Sequence, residues 1–322
     1  MIRALPLLLL LLLLVGAPAR AQQQAQYSQY MNNNYILNPG ATGVEDYIDI
    51  KASYRTQWQG LEGAPRTYYV SASSSLGKWR TTSKRTLRDR RRPFHALGGL
   101  VYNDETGPTS RKGAYLSYAY NLVLRPNLRA ALGVSVGMQQ FAVDGQQLRF
   151  FDPTTTAASD ASRVLDGSIG LWVYSSDFYV GVSGAQLLAN KLDFSYGPTS
   201  LDAGVGNSLK RHYFVTGGVR VPLSDDWSLV PSVLVKAVNP APLSLDLNAK
   251  LKYQDLLWGG VSWRALDSFV AMVGLSYEQF TLGYSYDAGL SELAGYHGGS
   301  HEILLGLRLK KKAQVVCTNR FW

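Results

Sequence analysis

The sequence predicts an all-β fold: a transmembrane outer-membrane antiparallel β-barrel of about fourteen strands. Three observations carry this. The chain opens with a secretory leader. From Asp46 onward, apolar and polar residues alternate with period two. The links between the alternating segments are long and short by turns.

The leader comes first. Arg3 is its basic n-region, Leu5 to Val15 its apolar core, and Ala19-Arg20-Ala21 an A-x-A cleavage site. Residues 1–21 therefore read as a signal peptide, too short in its apolar part to span a bilayer. No later run of about 18 apolar residues follows, so a membrane-spanning chain of this composition must cross with strands closed into a barrel. The single cysteine, Cys317, excludes an internal disulfide and a thiolate metal cage.

Residues 22–45 form a polar N-terminal segment. Between Gln26 and Gly43 it has six Asn or Gln side chains before Pro39, three tyrosines and no charge. It alternates too poorly for a strand and is too Asn-rich for a stable helix. Asn38-Pro39-Gly40 is a turn signal, since Pro39 fixes φ and Gly40 tolerates φ > 0. Such a segment is suited to hydrogen-bonding inside something. Two placements stay open: a plug or latch in a barrel lumen, and a periplasmic tail ordered only by a partner.

Residues 46–309 carry the strands. Ile48, Ile50, Ala52 and Tyr54 alternate with Asp49, Lys51, Ser53 and Arg55; Leu243 to Leu251 alternate with Ser244 to Lys252 in the same way. One apolar and one polar face per segment is the strand signature. Fourteen segments follow, near 46–55, 66–75, 95–103, 112–124, 127–143, 166–174, 177–184, 211–221, 227–236, 243–252, 255–264, 268–276, 279–287 and 300–309. Many are close to the ten residues that a tilted strand needs to cross a bilayer.

The links discriminate between a barrel and a soluble sandwich, which also alternates. Those after odd-numbered segments are mostly long, at 56–65, 104–111, 144–165, 185–210, 237–242 and 288–299, with 265–267 short. Those after even-numbered segments are mostly tight, except for 76–94. Outer-membrane barrels have this asymmetry, with the tight turns and, for an even strand number, both termini on the periplasmic side. The 20 Tyr and 7 Trp suit interfacial aromatic girdles.

The formal charge of +9 is local. Eight basic residues and one acid lie between Lys78 and Arg92, so this link alone is +7. A second basic cluster opens the tail at 310–322, which ends in Phe321-Trp322.

Several short motifs together resemble the PorP/SprF family. They are Gln29-Tyr30-Met31, Asn38-Pro39-Gly40-Ala41-Thr42-Gly43, Tyr54-Arg55-Thr56-Gln57-Trp58 and Gly63-Ala64-Pro65-Arg66-Thr67-Tyr68. Phe151-Asp152-Pro153, Gly181-Val182-Ser183 before Gln186-Leu187-Leu188, and His212-Tyr213-Phe214 extend the resemblance over the mature chain. The resemblance implies an outer-membrane barrel of type IX secretion and gliding motility. Its implied partners are an exported surface protein or adhesin and periplasmic components of the secretion machine.

The candidate sites follow from both lines. Gln29, Tyr30, Met31, Asn38, Pro39 and Gly40 form the lumen or latch segment. Lys84, Arg85, Arg88, Arg90, Arg91 and Arg92 could grip an acidic periplasmic partner or outer-membrane lipid headgroups; a solvated charge run is the plainer reading. Nucleic acid is a poor partner, because Trp79 is the one aromatic interleaved with the charges and the compartment is wrong. Phe150, Phe151, Asp152 and Pro153 open a long outward link, a surface for an exported ligand or ordinary rim packing. Catalytic, cofactor and metal sites are not expected: His297 and His301 flank a flexible Gly-Gly-Ser, and neither H-E-x-x-H nor G-x-S-x-G occurs. The expected role is binding or anchoring of exported surface proteins. A porin-like or FadL-like channel for small solutes is the alternative, decided by whether the lumen is plugged.

Overall fold

The structure, a computed structural model, describes residues 24–76, 93–148, 158–192, 208–290 and 295–309. Fourteen strands follow one another along the chain. They are β1 (Ile48–Thr56), β2 (Arg66–Ser75), β3 (Phe94–Thr106), β4 (Thr109–Arg125), β5 (Leu128–Val143), β6 (Asp160–Tyr174) and β7 (Phe178–Ala185). Then come β8 (His212–Val219, continued by Val221–Pro222), β9 (Trp227–Val238), β10 (Ser244–Tyr253), β11 (Leu257–Arg264), β12 (Ser268–Tyr277), β13 (Phe280–Gly289) and β14 (Ser300–Leu309).

Every strand pairs antiparallel with its sequence neighbours, and β1 pairs with β14 from Ile48↔Leu309 to Thr56↔His301. That last ladder closes the sheet, so no edge strand is left to template aggregation.

The two faces separate as the alternation predicts. Val70, Leu116, Leu132, Val136, Val180, Val261, Val273 and Leu305 point outward and are exposed. An exposed apolar surface of this extent is the lipid face of a barrel. Outward aromatics gather near both ends of the wall. Tyr54, Tyr68, Trp263, Tyr284 and Tyr286 lie toward the long links; Tyr118, Phe178, Trp227, Tyr277 and Phe280 lie toward the tight turns. The inward face is polar, with Ser53, Arg55, Ser71, Ser117, Gln139, Asp246, Asn248, Lys250, Arg264, Asp287 and Glu302 all buried.

Strands β3 to β6 correct the expected segment lengths. They run 13, 17, 16 and 15 residues, and β3 joins β4 through Gly107-Pro108 alone. The expected long link at 104–111 is thus a tight hairpin. Gly107 takes φ +53°, and its N–H donates to the Gly63 carbonyl at 2.8 Å. The strands continue past the lipid. Their outward residues become polar there (Asn103, Glu105, Lys112, Gln140, Arg163), and Arg163 Nε donates to Gln140 Oε1 at 3.1 Å. On this quarter of the circumference the wall extends beyond the apolar outer band at the long-link end.

The other departures are smaller. Residues 211–221 form a strand interrupted at Arg220, whose N–H turns aside to the Asp177 carbonyl at 2.6 Å. The link at 237–242 shrinks to 239–243, between Val238 and Ser244.

Candidate functional site

The N-terminal segment lies inside the barrel. Its local form is three single 3-10 turns, Tyr30–Asn32, Asn34–Ile36 and Pro39–Ala41. The sequence explains why it is neither helix nor strand. Asn side chains compete for backbone groups: Asn38 Oδ1 accepts the Gly40 N–H at 2.8 Å, capping the third turn, where Pro39 takes the first helical position. Thr42 Oγ1 then donates back to the Pro39 carbonyl at 2.6 Å.

The segment enters at the long-link end of the lumen. Arg264 Nη1 donates to Gln26 Oε1 at 3.2 Å, and the Tyr27 ring meets Tyr69 edge-on at 5.2 Å. Ser28 is gripped from three strands. Its N–H donates to Glu302 Oε2 at 2.7 Å, its hydroxyl donates to Asp287 Oδ2 at 2.6 Å, and Arg55 Nη1 donates to that hydroxyl at 2.6 Å. Arg55 Nη2 also donates to Asp287 Oδ2 at 2.8 Å, with Glu302 3.6 Å from Nη1. Arg264 draws on Asp246 (3.4 Å), Asp267 (3.0 Å) and Asp287 (3.7 Å), so the buried cations and carboxylates here offset one another.

Lower down, each turn finds its own stretch of wall. Gln29 Nε2 donates to the Glu302 carbonyl at 3.0 Å, and Asn248 Nδ2 donates to Tyr30 OH. Tyr30 and Met31 pack with Phe214, Leu234, Trp258, Val270 and Met272. Asn33 Nδ2 donates to Ser71 Oγ at 2.9 Å, and Tyr35 OH donates to Ser117 Oγ at 2.9 Å. Asn38 Nδ2 bridges the carbonyls of Leu171 (3.1 Å) and Val182 (3.2 Å), while Ser183 Oγ donates to the Leu37 carbonyl at 2.7 Å. Val44 packs with Ala131, Trp172, Tyr174 and Tyr179 at the tight-turn end, just before β1 begins.

The wall is shaped to admit this segment. A Cβ on Gly133 would stand 2.2 Å from the Pro39 carbonyl oxygen, and one on Gly170 would stand 1.9 Å from Asn38 Oδ1. Gly98 and Gly283 likewise face Tyr35 and Gln29. Along the segment, two spaces of about 50 Å³ each remain, both reaching Asn32. Each is roomy enough for a few waters.

The structure brings Gln29, Tyr30, Met31, Asn38, Pro39 and Gly40 together in the lumen, all buried. Lys84, Arg85, Arg88, Arg90, Arg91 and Arg92 lie outside the described residues, as do Phe150, Phe151, Asp152 and Pro153. Sequence reasoning missed the grip on Ser28 by Arg55, Asp287 and Glu302. The available signal was charge of both signs on the polar faces of β1, β13 and β14. His95 Nδ1 and His301 Nδ1 pair with the outward Tyr118 (2.6 Å) and Tyr284 (2.7 Å) hydroxyls within the girdles. Among the described residues, no group of three or more His, Cys, Asp or Glu is placed to hold a metal ion.

A closed fourteen-strand barrel, apolar outside and polar within, is an outer-membrane β-barrel. The chain belongs to the family described as type IX secretion system membrane protein PorP/SprF, whose sequence profile matches residues 19–307. That is a family of secretion-system membrane proteins and not an enzyme family. No curated protein matches the chain. Among solved structures it is similar to the translocator domain of the autotransporter NalP from Neisseria meningitidis (TM-score 0.44, 13% identity, 82% of this chain and 87% of that one). It is also similar to the Ralstonia pickettii toluene transporter TbuX (TM-score 0.47, 9% identity, 85% and 93%). A third is the Acinetobacter baumannii outer membrane protein Omp33 (TM-score 0.45, 9% identity, 83% and 100%).

Proposed function

We propose that this protein is a binding and anchoring component of the type IX secretion machinery, holding exported surface proteins at the outer membrane without a catalytic step. One observation carries the reading: the chain's own N-terminal segment fills the lumen and is bonded to the wall along its whole descent. A solute pore needs a water-filled path, and this segment, bonded to β14 on one side and to β6 and β7 on the other, stands across the lumen where such a path would run.

In this reading the tight turns, the start of β1 and the end of β14 face the periplasm, and the long links face outward. The described chain begins at the outward end, where Gln26 meets Arg264, which corrects the expectation that the N-terminal side starts at the periplasm. The raised wall of β3 to β6 offers a rigid outer surface with polar side chains. The link bearing Phe150, Phe151, Asp152 and Pro153 joins β5 to β6 at the long-link end. The basic run with Lys84, Arg85, Arg88, Arg90, Arg91 and Arg92 joins β2 to β3 at the opposite end, where its charge suits an acidic partner in the machine.

The test is affinity purification of the tagged protein from outer membranes in mild detergent, with mass spectrometry of the co-purifying chains, beside conductance in a planar bilayer. A large exported surface protein with periplasmic machine components, and a non-conducting barrel, are expected. A barrel that purifies alone and conducts solutes would overturn the anchoring reading in favour of a channel.

A further inference from the structure

At the tight-turn end of the lumen, four cations converge on one of the two spaces of about 50 Å³: Lys51, Lys250, Lys252 and Arg308. Two have a carboxylate partner, Lys51 with Asp49 and Lys252 with Asp255 at 2.6 Å. The other two have none among the described residues. Lys250 is 5% exposed, yet its ammonium has only the Asn32 Oδ1 acceptor at 3.2 Å and the Trp258 face at 5.9 Å. Arg308 donates to Ser276 Oγ at 2.9 Å and lies over the Tyr47 ring. Asn32, from the lumen segment, lines the same space, and its Nδ2 is buried with no hydrogen-bond partner among the described residues. Asp49 and Glu45 line the adjoining space on the far side of Asn32 and Lys51.

A desolvated ammonium with one neutral acceptor is costly, and so is an orphaned amide donor. Both costs fall when a single group with several acceptor oxygens enters. We propose that this pocket is a binding site for a compact oxyanion, a phosphate or carboxylate group, entering from the tight-turn end. Lys250 Nζ, Asn32 Nδ2 and the Arg308 guanidinium are its donors. Arginine's planar fork suits both groups, and charge-assisted bonds of this kind are the strong ones. The space is large enough to admit one such group. Because Asn32 belongs to the lumen segment, an anion here would tie that segment to β10 and β14 (Lys250 and Arg308).

The experiment uses the full chain purified in detergent at constant ionic strength, with chloride as the balancing ion. Inorganic phosphate and acetate are titrated separately, and the thermal midpoint is read beside calorimetric binding. A saturable rise with phosphate alone assigns a phosphate group; a rise with acetate as well assigns carboxylates too. Lys250→Gln is expected to weaken binding at least tenfold, with Arg308→Gln as the second variant if the first does not fold. Lys112→Gln, on the outer face of the raised wall, is expected to bind as the parent does. No saturable rise over chloride, or binding equal to the parent's in the Lys250→Gln and Arg308→Gln variants, overturns the proposal.

Discussion

Arg55 and Asp287, on strands β1 and β13, meet at 2.8 Å and close over the same hydroxyl, that of Ser28. Neither strand neighbours the other; β14 lies between them and adds Glu302 to the group. The N-terminal segment is thus fixed by charges already buried against each other, and loosening one side exposes the rest.

Replacing Arg55 by Met should therefore be severe. It leaves Asp287 and Glu302 buried with less compensation, and breaking such a pair costs about 3–5 kcal/mol. A lower urea midpoint in detergent and faster proteolysis near Ser28 are the expected results.

The glycines give a cleaner contrast. Gly133→Ala drives a methyl to within 2.2 Å of the Pro39 carbonyl, an overpacking worth about 1–3 kcal/mol. Faster hydrogen exchange at Gly40 and Ala41 should report it. Gly99 faces outward, with its nearest neighbour 3.9 Å from an added Cβ, so Gly99→Ala should stay within about 0.5 kcal/mol of the parent.

Glu45, at the foot of the lumen segment, gives a pH dependence. Burial first, then Asp49, push its carboxyl up from 4.5 to about 7, against the pull of Lys51. The folded state holds this proton more tightly than the unfolded chain does. Its contribution to stability is complete below the ordinary carboxylate range and is lost as pH rises toward 7. Glu45→Gln should abolish that fall, so the variant gains on the parent between about pH 5 and about pH 8, measured as urea midpoints.

Neutralising Arg88, Arg90, Arg91 and Arg92 together should leave the barrel folded and reduce recovery of periplasmic partners in the pulldown. Raising the salt concentration should reproduce the loss in the parent, since exposed charge attraction is screened over about 8–10 Å. Unchanged recovery would reduce that run to a solvated charge cluster.

Much of the barrel was legible because its side-chain period is two and one face must be apolar. The reading failed where the solvent changes. Residues 104–111 read as a link because their outward positions turn polar, but the ladder simply continues from lipid into water, as Asn103↔Lys112 shows. The interior was legible only in kind. Six amides and no charge between Gln26 and Gly43 signal a polar enclosure, and the turn at Asn38-Pro39-Gly40 is local. The wall partners are not local: Asn33 meets a residue 38 positions away and Ser28 one 274 positions away. Only closure of the sheet brings such pairs together.

The lumen segment runs end to end through the cylinder and then continues directly as its first stave. A finished cylinder could accept it only by end-on sliding of about twenty residues past glycine-sized clearances. The ladder between β1 and β14 works as a seam, and the two residues that clamp Ser28 from its margins, Arg55 and Glu302, face each other across it. The natural order of assembly follows: the thread is laid first, and the seam is sewn shut around it.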